Sequence, residues 1–368
     1  MGMKKRYDHT LIFIVLTLLA IGWIMVYSSS AVVAEITYHD GFNFLKRQVL
    51  FSLLGLLAML TAMQIDYRKL SVWTYPILAL NILLLVLVLI PEFGLGLKVG
   101  LARRWLRTPW FTFQPSELGK LALVIFVAYS LAKKEDKIKK FFLGFLPVIV
   151  ISGIMILLVV MEPDMGTAIF MGILTMVLLF IGGTKLSYLL TAPLFAAPGL
   201  YFFITHFQYS HRRIMAFLHP WEDVQGMGFQ IIQSFVALGS GGLWGVGLGD
   251  GRQKLFFLPA AHTDFIFAIL GEEVGFFGIM GIIILFALLI WRGVKIALRA
   301  GDTFGAHLAM GITSMIALQV IINMGVVLGL LPTKGLTLPF ISYGGTSLVV
   351  NLLGIGILLN ISAKGGRE

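Results

Sequence analysis

Few residues in this sequence can do chemistry, and most of them stand where an apolar run begins or ends. Asp264 closes the triplet His262-Thr263-Asp264 just before the apolar stretch Phe265 to Trp291. A carboxylate at such an edge is partly removed from water, which raises its pKa toward the range useful to a general base. The same position suits a helix N-cap, and the His262/Asp264 pair could share a metal ion. Glu117 and Lys120 lie three residues apart at the start of another apolar run, so on a helix they share a face. They either neutralise one another as a structural pair or offer a cation to an anionic substrate, with the glutamate orienting it. Arg103, Arg104 and Trp105 form a basic and aromatic cluster, readable as an interfacial belt or as an anion clamp with a stacking platform. Arg212, Arg213, Arg252 and Lys254 flank a glycine run from Gly239 to Gly251. Those glycines could make tight turns or a backbone nest for phosphate. Glu272 and Glu273, inside the span that follows, read chiefly as polar packing groups, and Glu162-Pro163-Asp164 as the cap of a helix.

The elements that must position these groups are membrane spans. Hydrophobic residues make up 58% of the 368 residues and charged residues 12%, whereas soluble chains carry about a quarter charged residues. The mean hydropathy is +0.93. Runs long enough to cross the roughly 30 Å hydrocarbon core fall near Thr10 to Ala34, Gln48 to Ile65, Leu70 to Ile90, Ser116 to Ala132 and Phe141 to Met161. Five more fall near Gly166 to Ile181, Leu186 to Thr205, Phe265 to Trp291, His307 to Leu330 and Tyr343 to Ser362. A spanning segment must satisfy its own backbone, and nothing here alternates like a barrel strand. The expected fold is therefore all-α: a polytopic helical bundle of about ten transmembrane helices.

Charge sets the expected orientation. Lys4, Lys5, Arg6, Arg68, Lys69, the Lys133–Lys140 run, Lys185, Arg292, Lys295, Arg299, Lys364 and Arg367 fall on one side, which the positive-inside rule makes cytoplasmic. Both termini then lie in the cytoplasm. The net charge of +10 is scattered between apolar runs and forms no stripe suited to nucleic acid. No cysteine is present, which excludes disulfides and thiolate metal sites. The chain reads as one domain, 1–368, with a large extracytoplasmic loop at 206–264 between spans seven and eight. Loops of that length in compact proteins are usually functional. Leu331 to Gly345, rich in proline and glycine, reads as a re-entrant or interfacial loop. Matching broken helices in two halves, a mark of many transporters, are not evident.

Five stretches carry a resemblance: ARRWL at 102–106, FQPSELGKLAL at 113–123, EPDMGTA at 162–168, the block at 233–275 that contains LPAAHTDFIFAI, and GLLPTKGLTLPFISYGGTSL at 329–348. In this order they resemble the SEDS (shape, elongation, division, sporulation) family of bacterial cell-wall polymerases, over essentially the whole chain. TKGLTLPFISYGG and GVGLGDGRQK look more like its division branch than its elongation or sporulation branches. The resemblance implies a peptidoglycan glycosyltransferase that polymerises the disaccharide-peptide of lipid II, with undecaprenyl diphosphate leaving, at the outer face of the cytoplasmic membrane and at the division septum. It implies Asp264 as the catalytic residue, Glu117 and Lys120 as a supporting pair, and Trp105 as an outer-loop tryptophan. It also implies a class B penicillin-binding protein transpeptidase and other division proteins as partners, alongside membrane lipid. Where the family often carries a glutamate, this chain has Ala260.

Inverting attack on an anomeric carbon needs a base at the nucleophile and positive charge at the leaving diphosphate. Asp264 supplies the first. Arg104, Lys120, Arg212, Arg213 or a bound divalent cation, Mg²⁺ or Mn²⁺, could supply the second. The alternatives are a flippase or transporter of lipid II, an elongation-type polymerase, and a non-catalytic scaffold. A flippase calls for charged residues along a path through the membrane, whereas the informative ones here gather at one side.

Overall fold

The computed structural model describes residues 7–90, 96–99, 102–107, 112–191, 194, 197–198, 208–224, 226, 228–255, 257–259 and 261–365. The apolar runs fold as helices: α1 His9–Tyr38, α2 Asn43–Gln64, α3 Lys69–Leu89, α4 Pro115–Lys133, α5 Leu146–Met161 and α6 Met165–Ile181. After these come α7 Gln208–Leu218, α8 Gly228–Gly241, α9 Ile266–Leu298, α10 Thr303–Val327 and α11 Gly345–Gly365. Among the described residues eight helices are long and apolar enough to cross a membrane. α5 reaches that length together with the helical turn before it, as Phe141–Met161, 21 residues; of the other two expected spans, α6 is shorter, at 17 residues. The Leu186 to Thr205 stretch lies largely outside the described residues, as does Ala260.

Helix ends follow local chemistry. Asp8 caps α1 by accepting from the Leu11 N–H, Asp164 caps α6 through Thr167, and Asp302 caps α10 through Gly305, each satisfying an N–H that has no partner within the helix. α4, α10 and α11 bury most of their length and form the centre of the bundle. α2 packs along α11, α3 and α6 on α4, and α1 on α9.

Two departures from simple spans shape one end of the molecule. The expected loop between α3 and α4 contains a three-stranded antiparallel sheet, β1 Gly96–Val99, β2 Ala102–Arg107 and β3 Thr112–Phe113, in the order β1-β2-β3. The segment 206–264 carries α7 and the amphipathic α8, and α8 packs on α9. The glycine run beyond α8 docks at a break in α9. Gly275 there has φ +67°, and any Cβ on it would stand 2.2 Å from the Gly245 nitrogen. Four backbone hydrogen bonds join the two segments, from Val246 to Glu272, Gly247 to Glu273, Phe276 to Gly242 and Phe277 to Leu243. The Glu272 carboxylate accepts from the Arg252 and Gln253 N–H groups. These two N–H groups, just beyond the glycine run, are therefore occupied by a glutamate of the same chain. Glu273 is buried with Lys254 at 2.6 Å, and the Ser28 hydroxyl of α1 donates to the same carboxylate.

Candidate active site

Asp264 sits one residue before the N-cap of α9, in a segment fastened at two points to the loop between α10 and α11. Asn323 of α10 donates through Nδ2 to the Asp264 carbonyl at 2.9 Å and to the Leu336 carbonyl at 2.7 Å. The Tyr343 N–H donates to the His262 carbonyl at 3.0 Å. That loop is non-helical and largely buried from Leu336 to Ser342. Such backbone is tolerated in the interior only when side chains satisfy it. Here Ser342 accepts from the Leu338 N–H, and Gln48 donates to the Ser342 carbonyl.

A β-bulge and a helix cap bring the opposing charges. Leu97 pairs with Trp105 and Lys98 with Arg103, which leaves Arg104 as the extra residue of β2. Bulges re-aim side chains. Arg104 turns onto the 162–164 turn, donating to the Glu162 and Pro163 carbonyls, with Nη1 3.9 Å from Asp164 Oδ1. Asp164 also accepts from the Thr167 hydroxyl at 3.0 Å and from Gln114 at 3.3 Å. Lys334 leans over the first turn of α6, its Cβ 3.5 Å from where a Cβ on Gly166 would stand.

These groups feel one another. Burial pushes the Asp264 carboxyl up to about 6; Arg213 and Arg104 pull it down and Asp164 pushes it further up. Burial together with Arg213 lowers Lys334 to about 8, against the opposing pull of Asp164. Glu162 is fully buried, neither of its carboxyl oxygens finds a hydrogen-bond partner among the described residues, and burial with Asp164 beside it raises it to about 9. It is a neutral acid at pH 7. His262 lies against Phe44 and Tyr343, with ring centroids 4.6 and 5.8 Å away, and burial lowers its pKa.

The structure thus gathers Asp264, Arg104 and Arg213 into one electrostatic unit. Glu117 and Lys120 form a 2.7 Å ion pair buried inside the bundle, with Lys120 over the Phe170 ring at 5.2 Å. Arg212 is exposed on α7, and Trp105 is half-buried on β2. Lys334, Asn323 and Gln114 were not singled out from sequence. A lysine inside a proline- and glycine-broken apolar stretch was a readable signal for the first; nothing in the sequence marked Asn323. No three His, Cys, Asp or Glu residues gather as a metal site among the described residues. A divalent ion here would have one or two protein carboxylates and would depend on substrate phosphates for the rest, a common arrangement for Mg²⁺.

Fold and site together define a multi-pass helical membrane protein whose acid and cations are collected at one end of the bundle. Residues 9–366 match the model of the cell cycle protein family of FtsW, RodA and SpoVE. The chain belongs to that family, the SEDS family met above as a resemblance. It is 49% identical to a probable peptidoglycan glycosyltransferase FtsW of Geobacter metallireducens, over 98% of this chain and 96% of the relative. It is 46% identical to stage V sporulation protein E of Bacillus subtilis, over 98% of both. Among solved structures it matches a chain from work on the structural coordination of polymerization and crosslinking by a peptidoglycan synthase complex, with TM-score 0.80, 29% identity, and coverage of 98% of this chain and 99% of that one. It also matches the rod shape determining protein RodA of Thermus thermophilus, with TM-score 0.72, 27% identity and 98% coverage of both.

Proposed function

We propose that this chain is a peptidoglycan glycosyltransferase that builds glycan strands from lipid II, with Asp264 as the general base. The observation that carries the reading is the Asp264 carboxylate, set against the Gly335 backbone beside Lys334 and raised to about 6 by burial in the field of Arg213, Asp164 and Arg104, in a chain whose relatives are named for this activity. Asp264 takes the proton from the attacking sugar hydroxyl. The bond from the anomeric carbon to the diphosphate oxygen breaks as the new glycosidic bond forms. Arg104, Arg213 and Lys334 receive the charge on the departing diphosphate, because preorganised cations are worth most where charge develops. A divalent cation arriving on the diphosphate would add charge neutralisation at the same place.

The remaining assignments belong to the same reading. The Asp264 end faces outward from the cytoplasmic membrane, the 206–264 segment lies on that side within a single 1–368 unit, and the enzyme acts at the division septum. Glu117 and Lys120 support the site from beneath as a buried pair. A class B penicillin-binding protein is the partner, since new strands must be crosslinked and the described chain is filled by the membrane bundle. The test supplies lipid II to the purified chain with its transpeptidase partner and compares polymer from the natural sequence and from Asp264→Ala. Polymer from the natural sequence alone supports the reading. Equal polymer from both rejects Asp264 as base, and transfer of lipid II between leaflets without polymer favours the flippase.

A further inference from the structure

At the end of the bundle opposite Asp264, a cavity of about 190 Å³ opens between the start of α1 and the ends of α9 and α11. It is lined by Tyr7, Asp8, Arg292, Lys295, Arg299 and Ser362, among others. Three cations face one carboxylate, and that carboxylate is already used. Asp8 Oδ1 accepts from the Leu11 N–H and Oδ2 from Arg292. The nearby Asp66 and Asp302 are held by Lys364 and Arg68. Among the described residues no carboxylate lies within ion-pair distance of Lys295 or Arg299. Among the described residues the cavity therefore carries two positive charges, on Lys295 and Arg299, with no carboxylate paired to them.

A second feature ends at the same place. Ile284, Leu288, Trp291 and Leu298 are 40–78% exposed, and with Lys295 they follow the 4-3-4-3 spacing of a single stripe along α9. Lys295 lies over the Trp291 ring at 5.1 Å. Lys295 thus interrupts an apolar stripe at the cavity mouth, with Ile284, Leu288 and Trp291 on its membrane-interior side and Leu298 beyond it. Helix C-termini attract cations in any case, which explains charge but neither the cavity nor the place of Lys295 within the stripe.

We propose that Lys295 and Arg299 bind the phosphate of an anionic phospholipid, whose acyl chains run along Ile284, Leu288 and Trp291. Arg292 and Ser362 close the back of the site. Basic pockets between spans are a recurrent way of holding such headgroups. A zwitterionic lipid fits less well, because its own ammonium would meet two cations. In the orientation proposed above this is a lipid of the cytoplasmic leaflet, remote from the catalytic end; the site stands whatever reaction Asp264 performs.

Native mass spectrometry of the full chain, released from micelles doped with equal phosphatidylglycerol and phosphatidylethanolamine, tests this directly. The natural sequence retains one phosphatidylglycerol in preference to phosphatidylethanolamine, and Lys295→Gln with Arg299→Gln reduces that retention about tenfold. Lys139→Ala with Lys140→Ala, which removes two charges from a different loop, leaves it unchanged. Equal retention of the two lipids by the natural sequence would overturn the site even if the double variant failed to fold. Undiminished preference in the double variant would also overturn it. Displacement of the phosphatidylglycerol by millimolar inorganic phosphate would identify a free-phosphate site and reject the lipid.

Discussion

Asp264 and Gly335 approach so closely that a Cβ on the glycine would stand 3.1 Å from the Asp264 Oδ2 atom. The carboxylate is thus positioned against backbone that has no side chain to offer. Gly335→Ala forces the carboxylate to give way by a few tenths of an ångström, while Gly335 itself is exposed and little packing depends on it. The expected outcome is a kcat lowered about tenfold, on the scale of misplaced catalytic groups, with Tm unchanged. Polymerisation rates and a thermal melt on the same preparation check both halves.

The pH profile of polymerisation should be bell-shaped. The base works only when deprotonated, so the rate falls as pH drops through about 6, the value to which burial raises Asp264. Lys334 serves the leaving group only when charged, so the rate also falls as pH rises through about 8, where burial and Arg213 place it. Each limb approaches about a tenfold change per pH unit. Lys334→Met should remove the alkaline limb along with part of the rate and leave the acid limb in place.

Asn323 holds two carbonyls with one amide. Asn323→Leu keeps the volume, breaks both bonds, and frees the Asp264 segment from the Leu336 loop. The expected outcome is a loss of about 1–3 kcal/mol in stability for the two unsatisfied carbonyls, and a fall in kcat larger than any rise in KM. Asn323→Asp, which cannot donate when ionised, should behave like the leucine variant at neutral pH.

Lys254 and Glu273 are both buried and 2.6 Å apart. Removing one partner strands a buried charge, so Lys254→Met should destabilise by about 3–5 kcal/mol. The double change Lys254→Met with Glu273→Leu should recover most of this. Melting temperatures of the two single variants and the double variant measure the coupling.

Much of the bundle was legible because hydrocarbon imposes a simple demand for length and apolarity, which α1, α4, α9 and α10 meet plainly. The small sheet was not legible. Its strands are short, and β2 places Arg104 by a bulge that no hydrophobic period reveals. Asp264 was legible by its position at a span edge, whereas its surroundings were not, since Lys334 and Asp164 join it from segments distant in the chain. The glycine run was legible as special, but its partner was not. Only the break at Gly275 explains why the chain returns there, and that depends on backbone contacts between two separate segments.

The most direct test of the central claim is glycan synthesis by the purified chain and its transpeptidase partner with Asp264→Asn, which preserves shape and removes the base. The expected result is a variant that folds, still binds lipid II, and yields no polymer above background at any pH. Polymer at the natural rate from Asp264→Asn, with the same pH profile, would contradict it.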